Sequence, residues 1–305
     1  IDLVLQTVYD NFTIVDTPEI TLEANPDDLT DAKITALASS KINRLSIGIQ
    51  SFFEEDLKLM NRAHNQTEAL DCITKAKQYF KNISIDLMYG IPQMSPQRWQ
   101  ENIEKALSLE VPHISCYVLT VEPKTALERF IKNGIIRPVD DAVAAQHHAV
   151  LVEKTAAVGY HNYEFSNFCI PGWESQSNSS YWMRKPYLGV GPSAHSYDVV
   201  SRSWNVSNNP RYIKSIEKGV LPLTTEILTT ENQYNEYIMT RLRTAGGVSI
   251  DEIGAFFGLK FQEYLKQNMQ QHIALGLLIC EGDVIKATKK GKFLTDGIAA
   301  DLFMI

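Results

Sequence analysis

Apolar positions in the first half of the chain recur at two alternating periods. Ile1, Leu3, Val4, Leu5, Val8 and Phe12 keep helical spacing, and the period then shortens to that of a strand around residues 19 to 24. The segment Asp27-Asp-Leu-Thr-Asp puts acidic residues where a helix N-terminus favours them, and residues 44 to 50 return as a strand. The cycle repeats with helix 66 to 80, strand 83 to 88, helix 96 to 109 and strand 113 to 119. Alternation of this kind predicts an α/β fold, with βα units joined by right-handed crossovers into a parallel sheet. Past Glu122 the rhythm loosens. Gly134 and Pro138 mark a loop, and residues 140 to 157 read as a helix whose His147 and His148 are expected on its solvated side. Residues 160 to 206, rich in aromatics, Ser, Asn and Gly, suggest short strands and loops. From about 225 a helical segment leads into two short apolar runs around Glu281-Gly282-Asp283, the pattern of a winged helix. The expected domains are 1–158, 159–224 and 225–305.

Three of the early strands end in a polar residue: Glu23, Gln50 and Asp86. In a parallel sheet or barrel all carboxyl ends lie on one rim, so these side chains converge on one small polar ligand. With Arg62 they form a set suited to an amino-acid nucleoside. Glu23 suits an ammonium, Arg62 a carboxylate, and Gln50 with Asp86 the hydroxyls of a ribose. The same residues also read as strand-end caps and surface ion pairs, and residue type alone leaves both open.

Charge and composition narrow the classes. A net charge of −7 argues against a surface built for phosphates, and residues 225–305 carry eight Lys and Arg against ten Asp and Glu. The winged-helix pattern therefore lacks the sign that counterion release from a duplex needs, and no nucleic-acid partner is expected. The apolar run from Ile273 to Cys280 is far short of the ~20 residues that span a bilayer. The first residues lack a basic n-region and a cleavage site, and they also lack an initiator Met. Cys72, Cys116, Cys169 and Cys280 are scattered without metal-site spacing, which suits reduced thiols in a cytoplasmic protein.

The motifs Leu22-Glu-Ala-Asn-Pro26, Ile47-Gly-Ile-Gln-Ser51, Leu59-Met-Asn-Arg-Ala-His64 and Ile85-Asp-Leu-Met-Tyr-Gly-Ile-Pro92 resemble, in order and spacing, radical S-adenosylmethionine proteins of the oxygen-independent coproporphyrinogen III oxidase family. Nearly the whole chain fits. Tyr163-Glu-Phe-Ser-Asn-Phe168, Asn178-Ser-Ser-Tyr-Trp182 and Gly189-Val-Gly-Pro-Ser-Ala-His-Ser196 resemble the family's heme chaperone branch more than the oxidase proper. The resemblance implies a partial parallel (β/α) barrel with a winged-helix-like C-terminal α+β module. It also implies S-adenosylmethionine held by Glu23, Gln50, Arg62 and Asp86, a [4Fe-4S] cluster, and heme passed to apoproteins, with peripheral membrane association where the acceptors require it. The rival reading is the oxidase, which decarboxylates propionate side chains with a 5′-deoxyadenosyl radical. A third is a ligand-binding module without redox chemistry.

Two departures matter. The family's Cys-x3-Cys-x2-Cys motif and its Gly-Gly-Thr-Pro segment are absent from these residues, so the chain reads as lacking its first βα units, with an exposed barrel edge and no activity by itself. The branch's His-Asn-x-x-Tyr-Trp motif stands here as Ser177-Asn-Ser-Ser-Tyr-Trp182, a serine replacing the histidine. A serine hydroxyl is a poor heme ligand, which leaves Asn178, Tyr181, Trp182 and His195 as the heme candidates, with His195 or Tyr181 in the axial role.

Overall fold

Alternate positions in the early strands decide where each side chain goes, because successive residues of a strand face opposite sides of the sheet. In the computed structural model, which describes residues 1–305, Leu45, Ile47, Ile49, Ile83, Ile85 and Leu87 are all buried to within 1%. Each such side chain contributes about 1.5–3 kcal/mol. The intervening residues Arg44, Ser46, Gly48, Ser84 and Asp86 form the opposite, polar face.

The chain divides into two units, Ile1–Glu174 and Ser175–Ile305. The first runs α1 (Asp2–Asn11), β1 (Thr21–Ala24), α2 (Asp31–Ala38), β2 (Arg44–Gln50), α3 (Glu54–Leu59), α4 (Gln66–Ala76), β3 (Asn82–Tyr89), α5 (Pro96–Ser108), β4 (His113–Val118), α6 (Ala126–Lys132), α7 (Asp141–Ala157), β5 (His161–Glu164) and β6 (Asn167–Cys169). One six-stranded sheet holds them in the order β1-β2-β3-β4-β6-β5. β1 to β4 are parallel, in agreement with the sequence. β6 is antiparallel to both neighbours. The reason is local: β5 and β6 are joined by two residues, Phe165 and Ser166, so the second strand must turn straight back. Because both complete this sheet, the first unit extends to Glu174 and past residue 158.

The expected helices appear with small changes. Asn65 and Glu68 form a reciprocal capping box that starts α4. The acidic run at Asp27 makes a 3-10 turn over Pro26–Asp28, and α2 begins only after Thr30, whose side chain accepts from the Lys33 amide. α3 and α6 were not expected, being too short to show a period. His147 and His148 correct the sequence reading: both are buried, at 1% and 3% exposure. His147 stacks on Trp99 and accepts from the Gly90 amide at 3.3 Å, while His148 stacks on Phe165. Adjacent helical residues point about 100° apart, so α7 buries one on each side of a stripe wider than alternation suggests.

The second unit runs α8 (Gln176–Trp182), β7 (His195–Tyr197), β8 (Ser201–Asn205), α9 (Asn209–Glu217), β9 (Leu223–Ile227), α10 (Thr230–Leu242), β10 (Val248–Ser249), α11 (Ile250–Phe257), α12 (Leu259–Ala274), β11 (Leu278–Glu281), β12 (Val284–Ala287) and α13 (Thr295–Asp301). β7, β8 and β9 form an antiparallel sheet. The expected hairpin is β11–β12, joined by β10 into a second small sheet. Tyr234, Ile238, Ile253, Leu265, Ile285 and Ile298 make one core beneath it. No helix of either unit is long and apolar enough to cross a membrane.

Candidate functional site

Strand register brings the polar residues of the first unit into rows. Glu23 lies opposite Ser46 and Ser46 opposite Ser84, while Gly48, Asp86 and Ser115 form the next row. Partners directly opposite share a face, so all six positions look to one side of the sheet. Ser46 donates to Asp86 Oδ1 at 3.3 Å, and Ser115 also hydrogen-bonds that carboxyl. Burial, together with the nearby Glu23 charge, outweighs these bonds and raises Asp86 from 3.8 to about 6. One row down, His113 is held between Ser84 Oγ at 2.7 Å and the Tyr163 hydroxyl at 2.8 Å. Burial and the Arg44 charge lower His113 to about 3, so its imidazole is neutral, one ring nitrogen donating and the other accepting.

Gln50 and Arg62 meet at the carboxyl end of β2. Arg62 Nη2 donates to the Gly48 carbonyl at 2.9 Å and to Asn25 Oδ1 at 2.5 Å. Gln50 takes a left-handed backbone, φ 67°, where the pairing of β2 with β3 shifts register. A Cβ on Gly48 would stand 2.9 Å from Gln50 Nε2, 3.2 Å from Arg62 Nη2 and 3.4 Å from Asn25 Oδ1. Glycine here is therefore what lets three polar side chains close on one backbone position. Gln50 and Arg62 open into a cleft of about 760 Å³ that Met88, Leu119, Leu127 and Phe130 wall on its apolar side. His64 is buried behind this corner, its Nε2 3.1 Å from the Ile49 carbonyl, and supports the end of β2.

The four expected rim residues are thus all on the polar face or its carboxyl edge. Gln50 and Arg62 are brought together, and Glu23 and Asp86 share the adjoining rows. Asn25, Arg44, Ser46, His113 and Ser115 belong to the same surface and were not singled out from the sequence. Their signal was present as polar residues at every second position: Arg44, Ser46, Gly48; Ser84, Asp86; His113, Ser115.

In the second unit Asn178, Tyr181 and Trp182 sit on α8, whose cap is Ser175 accepting from the Asn178 amide. Tyr181 is half exposed and packs edge-on against Tyr187, which stacks on Tyr197. Trp182 lies under the Arg243 guanidinium, 5.4 Å from ring centroid to cation. His195 is exposed at the start of β7, its ring 6.1 Å from that of its cross-strand partner Trp204. Both line a cleft of about 540 Å³ with Val206, Leu221, Leu223 and Arg211. The cleft thus combines an imidazole, an indole, aliphatic side chains and one guanidinium with the polar Ser193, Asn205, Ser207 and Thr224.

The cysteines fit no iron-sulfur cluster. Cys72 is buried on α4, Cys116 on β4 and Cys169 on β6, and Cys280 is exposed on β11. The four lie on separate elements, and no three of them come together.

Comparison with known proteins bears on both units. Residues 13–106 match the radical SAM superfamily and residues 228–294 the HemN C-terminal domain. The chain is 34% identical to the heme chaperone HemW of Bacillus subtilis over 281 residues, 92% of this chain and 74% of the relative. It is 30% identical to the Escherichia coli heme chaperone HemW over 293 residues, 94% of this chain and 75% of the relative. The solved structure of coproporphyrinogen III oxidase (HemN) from Escherichia coli, a radical SAM enzyme, superposes with a TM-score of 0.83 over 99% of this chain and 73% of that one, at 20% identity.

Proposed function

The chain belongs to the heme chaperone HemW family, on a radical SAM scaffold, and from that premise we propose that it binds heme and S-adenosylmethionine and delivers heme to apoproteins. The observation that carries this reading is the 34% identity to a curated heme chaperone across 92% of the chain. The likeness to the oxidase, at 20% identity, is one of fold.

S-adenosylmethionine is assigned to the rim of the first unit. Glu23 takes the ammonium and Arg62 the carboxylate. Arg62 keeps donors for it beyond those given to Gly48 and Asn25. Gln50 and Asp86 take the ribose hydroxyls, which suits a carboxyl whose partners are hydroxyl groups already. When bound, S-adenosylmethionine supplies an adenosyl group and a sulfonium charge. The cysteines present do not hold a cluster that could cleave it.

Heme is assigned to the second unit, with His195 as axial ligand, Trp204 beside the ring, aliphatic contacts from Val206, Leu221 and Leu223, and Arg211 for a propionate. Asn178, Tyr181 and Trp182 form the second candidate surface, for which the aromatic pair offers stacking. The proposal includes apoprotein acceptors, a cytoplasmic location in keeping with the free cysteines, and peripheral contact with membranes that carry acceptors.

The test is a heme titration followed by absorbance on the unaltered chain, His195→Ala and Ser177→His. Saturable binding with a Soret shift that His195→Ala abolishes is the expected result. Unchanged binding in His195→Ala would remove that residue from the heme site. Absence of saturable binding in all three would overturn the heme assignment to this chain.

A further inference from the structure

A second group of ligand-type side chains lies in the first unit, away from the rim. His161 on β5 and Cys169 on β6 are direct cross-strand partners. Their Cβ atoms therefore leave the same face of the sheet about 5 Å apart. The five residues after Cys169 then fold back over the strand end. The Ile170 amide donates to the Pro112 carbonyl at 2.9 Å, and the Trp173 amide to the Ile170 carbonyl at 3.0 Å. Gly172 at φ +90° supplies the left-handed backbone that this reversal requires. The turn returns Glu174 to His161, with Nε2 and Oε1 3.2 Å apart. One ligand atom from each of His161, Cys169 and Glu174 lies within 4.8 Å of the other two.

We propose that His161, Cys169 and Glu174 form a binding site for a divalent transition-metal ion of the zinc class, with a fourth position open to solvent. Nitrogen, thiolate sulfur and carboxylate oxygen together are the donors that a borderline-soft ion accepts, and they are a poor set for magnesium or calcium. Bonds of about 2.0–2.3 Å place neighbouring ligand atoms of a tetrahedral ion roughly 3.5 Å apart, so the observed spacing closes by side-chain adjustments of about an ångström. Two ligands are fixed by strand register and the third by a hydrogen-bonded turn, which removes most of the ordering cost of assembling the site. Cys169 is fully buried, whereas the side chains of His161 and Glu174 remain 41% and 35% exposed. The sulfur thus anchors the ion from the protein side and the other two leave a solvent approach. An ordinary His-Glu ion pair explains two of these residues but not the sulfur beside them, which has only the Trp173 amide of the same turn as a polar neighbour besides the pair.

The site is tested with Co²⁺ alone as a spectroscopic stand-in, followed by Zn²⁺ competition, on the full chain and on Cys169→Ser, His161→Ala and Glu174→Gln. The expected result is one saturable Co²⁺ equivalent with intense visible bands of tetrahedral cobalt and a thiolate-to-cobalt charge-transfer band, both lost on adding Zn²⁺. Cys169→Ser should remove the charge-transfer band. Loss of an outer partner already weakens metal sites about 10–100-fold, so His161→Ala and Glu174→Gln, at more exposed positions that leave the buried sulfur in place, should weaken binding by at least roughly tenfold. Absence of saturable binding, or a cobalt spectrum unchanged in Cys169→Ser and His161→Ala, would overturn the proposal.

Discussion

Replacing Asp86 by Asn should stabilise the first unit at neutral pH while removing an acceptor from the rim. Burial raises the Asp86 carboxyl from 3.8 to about 6, so the folded protein holds this proton more tightly than the unfolded chain does. Below about pH 4 the group is protonated in both states and costs nothing. Between pH 4 and 6 the unfolded chain ionises first and stability falls, and above pH 6 the full penalty is in place. At about 1.4 kcal/mol per pH unit, the penalty is at most about 3 kcal/mol. Asn keeps the size of the side chain, and the hydroxyls of Ser46 and Ser115 can turn to accept from its amide. His113, lowered to about 3, works in the opposite sense: its contribution is whole above the ordinary histidine range and is lost as pH falls toward 3. Both proteins carry His113, so their difference isolates position 86. Because two units need not unfold together, the readout should be amide exchange of β2, β3 and β4, measured from pH 4 to 8. The variant should equal the parent near pH 4 and exceed it by about 2–3 kcal/mol at pH 7.5. A difference that is independent of pH, or a variant less stable at pH 7.5, would refute the account of a charge held at a cost.

Gly48→Ala should leave the fold intact by circular dichroism but push Gln50 and Arg62 out of place, since the new Cβ would lie 2.9 and 3.2 Å from them. A charge-assisted bond from Arg62 to the ligand carboxylate is worth about 1.5–3 kcal/mol, so its displacement should weaken S-adenosylmethionine binding by calorimetry roughly tenfold or more. Unaltered affinity would detach this corner from the ligand. In the second unit the buried Tyr234 hydroxyl donates to the Leu302 carbonyl at 3.1 Å. Tyr234→Phe strands that carbonyl and should cost about 1–3 kcal/mol in urea unfolding of this unit, with exchange in β1 to β4 unchanged.

The alternation of periods in the sequence was enough to place the parallel strands β1 to β4, the main helices between them and the C-terminal hairpin. These elements are long enough, or bounded clearly enough by turn residues, for local pattern to dominate. Of the polar strand ends expected at Glu23, Gln50 and Asp86, only Gln50 closes its strand: β1 runs on to Ala24 and β3 three residues further to Tyr89, so Asp86 sits mid-strand on the polar face, because pairing with β4 continues past it. Short elements were not legible: six residues of α3 and seven of α6 both span fewer than two turns. Burial of His147 and His148 depended on what packs against α7, namely Trp99 and Phe165 from elsewhere in the chain. Only the folded chain brings Arg62 to the Gly48 carbonyl 14 residues away, or sets Asp86 beside Ser46 across 40 residues. The insertion of β6 between β4 and β5, and with it the meeting of His161, Cys169 and Glu174, is likewise a matter of register and turn geometry. Periodicity along a chain encodes which face a residue takes, because that is a local property of the backbone. Which residues then share that face across strands is decided by pairing, and pairing is settled only when the whole sheet forms.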